Sequence, residues 1–282
     1  MKIDHITNTF KENNEDGYGI TKHSFWVIDG ASSLNKNNYT DEGNDVVWMV
    51  NWWNKYLNET IEQLDRTIID ILETGVIKLN EDYSKFVDIE SLSKLDRASA
   101  GISIARINKE TLECFVLGDV EINLKTKSGD IKHLSDGKIK CLDKEVISLM
   151  LNNPNREKEL VFKGFTKNEL KLLRNNRMKM NTKDGYYILE HEKESIKKGI
   201  YKEFKLKDID EVLLMSDGYA QLYNNYRLSE LFIECKTRGV KNLLEELRSL
   251  EKNDKAMRSR KRLKLHDDCT AIYFDVSECE MI

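Results

Sequence analysis

Cys114-Phe115-Val116-Leu117-Gly118, then Ile122-Asn123-Leu124, then Lys127-Ser128-Gly129-Asp130 leading into Ile131 to Leu134: these short apolar runs, parted only by turns, decide the fold class. Each run has the length and residue content of a strand, and the Ser128-Gly129-Asp130 step is a hairpin signal. Just upstream, Ala100 to Ile107 alternates like a strand. Strands joined so tightly pair antiparallel, because a parallel pair needs a crossover of about a dozen residues or more. Working outward, Phe25-Trp26-Val27-Ile28 reads as a buried strand that stops at Asp29-Gly30. Val46, Val47, Val50, Trp53 and Leu57 recur at helical spacing from Asp45 to Leu57. Ile61, Leu64, Ile68, Ile71, Leu72 and Val76 predict a second, neighbouring helix. Downstream, Lys144 to Met180 is charged and helical in character, Tyr186 to Leu189 reads as a short strand, and Glu211 to Met215 as a stronger one. Leu228 to Leu250 predicts two helices parted near Gly239, and Thr270 to Val276 a closing strand. Strand, helices, many strands, helices, strand is the order of an α+β chain, with sheet packed on sheet and helices outside.

Composition narrows the function classes. With 40% hydrophobic and 33% charged residues the chain is polar but still able to build a core. No stretch approaches the ~18 apolar residues of a membrane span, and Met1 to Phe10 lacks the apolar core of a secretory leader. A net charge of −4 argues against a nucleic-acid binder. The cysteines at 114, 141, 235, 269 and 279 are odd in number and form no CxxC pair, so neither a disulfide framework nor a structural zinc site is expected. A reducing, cytoplasmic location fits that usage. None of the cysteines lies in a nucleophile motif, and buried, inert thiols are expected. With no linker, repeat or Pro-rich break, one domain spanning residues 1–282 is expected, acting as a monomer.

The chemistry lies in a repeated local pattern: an apolar strand running into an aspartate beside a glycine. It occurs at Val27-Ile28-Asp29-Gly30, at Leu117-Gly118-Asp119 and at Leu214-Met215-Ser216-Asp217-Gly218. Glu15-Asp16 and Asp267-Asp268 stand just before strands. Taken singly, each is an ordinary turn, with Gly supplying positive φ and Asp bonding its local backbone. Taken together they read differently, because strand ends of a sandwich converge on one rim. Carboxylates crowded there repel and hold their protons, and a divalent cation relieves the repulsion. The candidate ligands are all oxygens, and the five histidines show neither HxH nor HExxH spacing, so Mg²⁺, Mn²⁺ or Ca²⁺ suits the set better than Zn²⁺ or Cu²⁺. Two such ions bridged by one carboxylate can hold a hydroxide in line with a phosphorus atom.

In this order the segments Lys11-x-x-Asn14-Glu15-Asp16, Phe25 to Gly30, Leu117-Gly118-Asp119, Leu213 to Gly218 and Asp267-Asp268-Cys269-Thr270-Ala271-Ile272 resemble the motifs of the metal-dependent protein phosphatase 2C family. The resemblance runs from about Lys11 to Val276. It implies a central β-sandwich of two antiparallel sheets flanked by helices on both sides, a four-layer α-β-β-α arrangement, with a variable helical flap at about 140–183. It also implies hydrolysis of phosphoserine and phosphothreonine in proteins by a metal-bridged water at a binuclear Mn²⁺ or Mg²⁺ centre, without a phosphoenzyme. By position, Asp29 would bridge the two ions, and Asp217 and Asp267 would complete one site. Glu15 or Asp16, with the Gly30 carbonyl, would serve the other, and Asp119 would help hold a third, weaker ion.

The chain departs from the family at several positions. Lys11 stands where the family has the Arg that grips substrate phosphate, and a Lys binds phosphate as a point charge rather than a fork. Ala31 stands where animal members carry a His, and Gly118-Asp119-Val120-Glu121 replaces Gly-Asp-Ser-Arg. These changes bear on substrate binding and rate more than on metal binding. They leave two alternatives open: a catalytically weak phosphoprotein-binding member, or a hydrolase of small phosphoesters. Lys255 to Lys264, with Arg258, Arg260, Arg262 and others, reads as a solvated helix end or loop, or else as an attractor for an acidic partner. Arg174 and Arg177 are expected on a surface helix, with phosphate binding at the site as the alternative. Of the adjacent Trp52 and Trp53, at most one should point into the core.

Overall fold

A computed structural model describes residues 1–35, 37–257 and 259–276, so Arg258 and Cys279 lie outside the described residues. Two five-stranded antiparallel sheets face each other. One contains β1 (Ile3–Asn8), β6 (Glu121–Thr126), β7 (Ile131–Leu134), β11 (Ile209–Met215) and β12 (Cys269–Asp275), in the order β1-β12-β11-β6-β7. The other contains β2 (Asp16–Ile20), β3 (Ser24–Ala31), β4 (Ser99–Asn108), β5 (Thr111–Leu117) and β10 (Ile200–Lys205), in the order β10-β5-β4-β3-β2.

Strand alternation builds the four layers, because successive side chains point to opposite faces. In β3, Phe25 and Val27 pack between the sheets, while Trp26 and Ile28 turn outward onto α1 (Asp45–Thr60) and α2 (Ile68–Tyr83). In β11, Val212 and Leu214 face the sandwich, while Leu213 and Met215 meet α6 (Leu228–Arg238) and α7 (Val240–Asn253). Central strands are thus covered on both faces, which is why Phe25 to Ile28 and Leu213 to Met215 are unbroken apolar runs. Phe25 and Phe274 stack across the sandwich with centroids 4.0 Å apart. Each fully buried side chain of this kind contributes roughly 1.5–3 kcal/mol.

Several local expectations are corrected. The second helix begins at Ile68 rather than Ile61, because Thr67 caps it by accepting from the Asp70 N–H; Ile61 closes α1 instead, and Leu64 lies in the connection. Residues 144–180 are not one helical stretch. They divide into α3 (Lys138–Leu151), a hairpin of β8 (Leu160–Phe162) and β9 (Phe165–Thr166), and α4 (Lys167–Met178), which opens on a Thr166/Glu169 capping box. Val146, Met150, Phe165 and Leu170 give this segment its own small core. Tyr186 to Leu189 makes only isolated bridges, to Met180 and Ala100. Strands β1, β2 and β10 were not foreseen. Trp53 is fully buried, whereas Trp52 is half-buried and stacks on Tyr56. Cys114, Cys235 and Cys269 are buried, which pushes their thiols up, while Cys141 is exposed.

Candidate metal centre

Antiparallel pairing brings the aspartates to one end of the sandwich. Asp29, near the end of β3, lies directly opposite Asp16 of β2 and beside Gly101 of β4. Opposite residues in such a ladder have Cβ atoms about 4.5–5.5 Å apart, so the two carboxylates share a face. Asp119 follows β5, and its carboxylate lies over Gly101. Asp217 opens the short helix α5 (Asp217–Ala220) after β11, and its backbone N–H donates to Asp29 Oδ2 at 3.1 Å. Asp267 precedes β12. A cleft of about 980 Å³ opens onto Asp29, Gly30, Asp119, Asp217 and Asp267, with Glu15 and Lys11 on its wall.

The protonation of the cluster follows from crowding. Burial, then Asp217, Asp16 and Asp119, push the Asp29 carboxyl well above the usual range. Asp119 rises likewise through burial, Asp217 and Asp143. Burial followed by Asp268 and Asp267 takes Asp16 up to about 8, and burial with Asp267 takes Asp217 to about 6. Asp267 goes the other way: burial would raise it, but the Lys264 ammonium at 2.7 Å, helped by Lys11, holds it down. Lys264 lines the cleft with its side chain still 43% exposed; desolvation opposes its charge, and Asp267, Asp217 and Asp29 more than restore it.

Glu15 and Asp16, left as alternatives by the sequence, differ in partners. Glu15 accepts from Ser32 Oγ and from Lys11 Nζ at 3.0 Å. Asp16 Oδ2 is buried without a hydrogen bond of good geometry, although the Thr270 and Ser216 hydroxyls lie beside its carboxyl. Lys11 also reaches Asp268 Oδ2 at 2.8 Å, so its ammonium stands among carboxylates at the mouth. Among the described residues, no group of three His, Cys, Asp or Glu side chains is arranged to hold an ion. What fits divalent metal is the chemistry: an all-oxygen donor set, a buried carboxylate oxygen without a hydrogen bond of good geometry, and protons held against the ordinary tendency to ionise.

The glycines beside the aspartates serve closeness rather than turn geometry. Of Gly30, Gly118 and Gly218, only Gly118 adopts positive φ, at 91°. A Cβ on Gly218 would stand 2.0 Å from the Asp268 carbonyl oxygen, and one on Gly30 2.3 Å from that of Glu15. Gly218→Ala should therefore displace the backbone carrying Asp267 and Asp268. A loss of about 1–3 kcal/mol in thermal unfolding and an activity loss near 10²-fold are expected. Unchanged activity would show that this approach is not needed.

A model of the family described as Protein phosphatase 2C matches residues 9–251. The chain belongs to the protein phosphatase 2C family. No curated protein sequence matches it. Among solved structures, the Mycobacterium tuberculosis serine/threonine phosphatase PstP/Ppp is similar at 12% identity over 97% of both chains, with a TM-score of 0.56. Its catalytic domain in complex with 2 manganese ions is similar at 13% identity over 97% of both chains, with a TM-score of 0.54. The serine/threonine phosphatase Stp1 from Staphylococcus aureus is similar at 12% identity, covering 96% of this chain and 93% of that one, with a TM-score of 0.53. The sandwich described above is thus the phosphatase 2C fold.

Two residues of this phosphatase 2C cleft, Asp143 and Lys163, carry no signal in the sequence, and Arg177 takes the place left open as its alternative. Asp143 of α3 lines it, and its carboxyl is raised to about 7, first by burial and then by Asp217. Nothing in its helix marks it out among neighbouring charges. Lys163 at the hairpin tip donates to the Ser33 carbonyl at 3.1 Å, and Arg177 of α4 to Ser99 Oγ and the Ser32 carbonyl. Arg177 therefore faces the cleft, against the surface-helix expectation; Arg174 does not line it. The basic run is solvated only in part, with Lys255, Lys261 and Lys264 exposed. Arg260 and Arg262 are buried, Arg262 pairs with Asp254, and Lys264 pairs with Asp267.

Proposed function

We propose that this phosphatase 2C chain hydrolyses phosphoserine and phosphothreonine in proteins, using two Mn²⁺ or Mg²⁺ ions. The observation that carries the reading is Asp29 ringed by Asp16, Asp119 and Asp217 at the sandwich end, with their protons held abnormally tightly. Asp29, Asp217 and Asp267 would hold one ion, and Asp29, the Gly30 carbonyl and Glu15 or Asp16 the other. Glu15 lines the cleft but is engaged by Lys11 and Ser32, whereas Asp16 lies opposite Asp29 but off the cleft lining, so either would complete that site. Asp119, with Asp143 beside it, would serve a third and weaker ion. When bound, the ions supply an activated water and neutralise charge gathering at phosphorus. The chain's own part is to fix the carboxylates on rigid strand ends and to hold the phosphate with the cations at the mouth, Lys11 among them. Single-domain organisation with residues 140–183 as flap, monomeric state and a cytoplasmic site of action belong to the same proposal. No helix is long and apolar enough to cross a membrane among the described residues.

Phosphate release from p-nitrophenyl phosphate and a phosphothreonine peptide should require added Mn²⁺ and stop with EDTA. Activity that survives EDTA contradicts the reading. A second reading, a phosphoprotein binder with weak turnover, is favoured by Lys11 pairing with Glu15 and Lys264 with Asp267. Phosphopeptide binding without turnover at saturating Mn²⁺ would select it, and turnover of small phosphoesters alone would select a small-molecule hydrolase. Lys11→Gln should raise the phosphopeptide KM roughly tenfold or more, the value of one charge-assisted contact, with kcat less affected. An unchanged KM removes Lys11 from phosphate binding.

A further inference from the structure

Behind the wall that α4 and the β8–β9 hairpin give to the cleft lies a second concavity of about 710 Å³. The two hollows share this wall. Lys163, Leu173 and Arg177 face the cleft, whereas Val161, Phe162, Leu170 and Arg174 face the groove, and the loop between them offers Leu34 to one and Asn35 to the other. The groove has an apolar floor and a cationic edge. Val161 is 53% exposed and Leu160 beside it 43%, so the hairpin offers an apolar edge to the groove.

Lys167, Lys171 and Arg174 follow one another at i, i+4 and i+7 on α4 and so form a single stripe along the groove. None of the three has a carboxylate within ion-pair distance among the described residues; the Arg174 guanidinium reaches only the Leu34 carbonyl, at 3.4 Å. Among the described residues, no acidic one lines the groove. Like charges at i, i+4 destabilise a helix, and Lys167 stands in the first turn, where the helix dipole disfavours a cation. The stripe therefore costs the isolated chain stability, although the chain as a whole is net acidic at −4. An anionic partner would repay that cost.

We propose that this groove docks an acidic segment of the phosphoprotein substrate, anchored by one bulky apolar side chain between Val161, Phe162 and Leu170. The proposal rests on the phosphatase reading above and adds a rule of substrate choice to it. A peptide crossing the ~10 Å width of one helix needs about three residues at ~3.3 Å each. The acidic block thus lies about three residues or more from the phosphorylated one.

The test compares wild type with the triple variant Lys167→Glu, Lys171→Glu, Arg174→Glu on three substrates. These are p-nitrophenyl phosphate, a phosphothreonine peptide carrying Glu residues around one Leu at that separation, and the same peptide with Ala at those positions. Wild type should prefer the acidic peptide. The variant should lose about tenfold or more in kcat/KM on it, through KM, and keep its rate on p-nitrophenyl phosphate. Equal effects on both peptides, or none, overturn the docking site and leave the phosphatase reading intact. Should wild type hydrolyse nothing, the phosphatase reading fails instead. Anisotropy of the labelled acidic peptide then decides the groove, where binding lost in the variant supports it and equal binding overturns it. Binding that needs the charges but not the Leu, and that phosphatidylglycerol vesicles match, also overturns it. If the triple variant does not fold, the single exposed change Lys171→Glu replaces it under the same criteria.

Discussion

Asp29→Asn is expected to abolish Mn²⁺-dependent phosphate release while leaving the fold in place. Asp29 is the residue on which the cluster converges: Asp16 lies across the ladder, the Asp217 N–H rests on its Oδ2, and Asp119 and Asp267 add to the field around it. Bound ions stabilise transition-state charge by several kcal/mol, and each ~1.4 kcal/mol is tenfold in rate, so kcat/KM should fall by about 10³ or more. The amide keeps the shape and removes a charge that is costly without metal. The metal-free variant should therefore unfold at the same temperature as wild type or higher. That pairing separates a lost ligand from a damaged core. Residual activity within tenfold of wild type would remove Asp29 from the proposed metal centre.

Mn²⁺ should raise the unfolding temperature, and should do so more at pH 8 than at pH 6. In the metal-free chain Asp16, Asp143 and Asp217 have carboxyls raised to about 8, about 7 and about 6, with Asp29 and Asp119 also raised. In the unfolded chain they ionise near the ordinary value of ~3.9. Between about pH 4 and pH 8 the folded state thus binds more protons than the unfolded one, so its stability falls as pH rises through that window. Divalent ions replace those protons and reverse the trend. At an ion concentration of about 100 Kd, binding adds about 2.7 kcal/mol. That is roughly 4–5 °C for a chain of this size. Scanning calorimetry at the two pH values, with and without Mn²⁺, measures it. A metal-free chain that grows more stable from pH 5 to pH 8 would contradict the charge arrangement.

The sandwich was legible wherever a strand is covered on both faces, since Phe25 to Ile28 and Leu213 to Met215 then have no polar position to blur the run. Edge strands were not. β1 and β10 pack on one side only, and β2 carries Gly17 and Gly19, which contribute no side chain to a pleated surface. Asp29, Asp119 and Asp217 stood out because each ends an apolar run. Asp143 and Lys264 belong to charged segments, and only tertiary packing turns them into the cleft. The glycine reading shows the same boundary: sequence suggested turn geometry at Gly30 and Gly218, while the structure places carbonyl oxygens where their Cβ atoms would be.

Anomalous diffraction from crystals soaked in Mn²⁺ tests the central claim most directly. Two manganese peaks are expected in the cleft, one among Asp29, Asp217 and Asp267 and the other among Asp29, the Gly30 carbonyl and Glu15 or Asp16, with the Lys264 ammonium withdrawn from Asp267. No peak at saturating Mn²⁺, or peaks elsewhere on the surface with Lys264 still paired to Asp267, would contradict it.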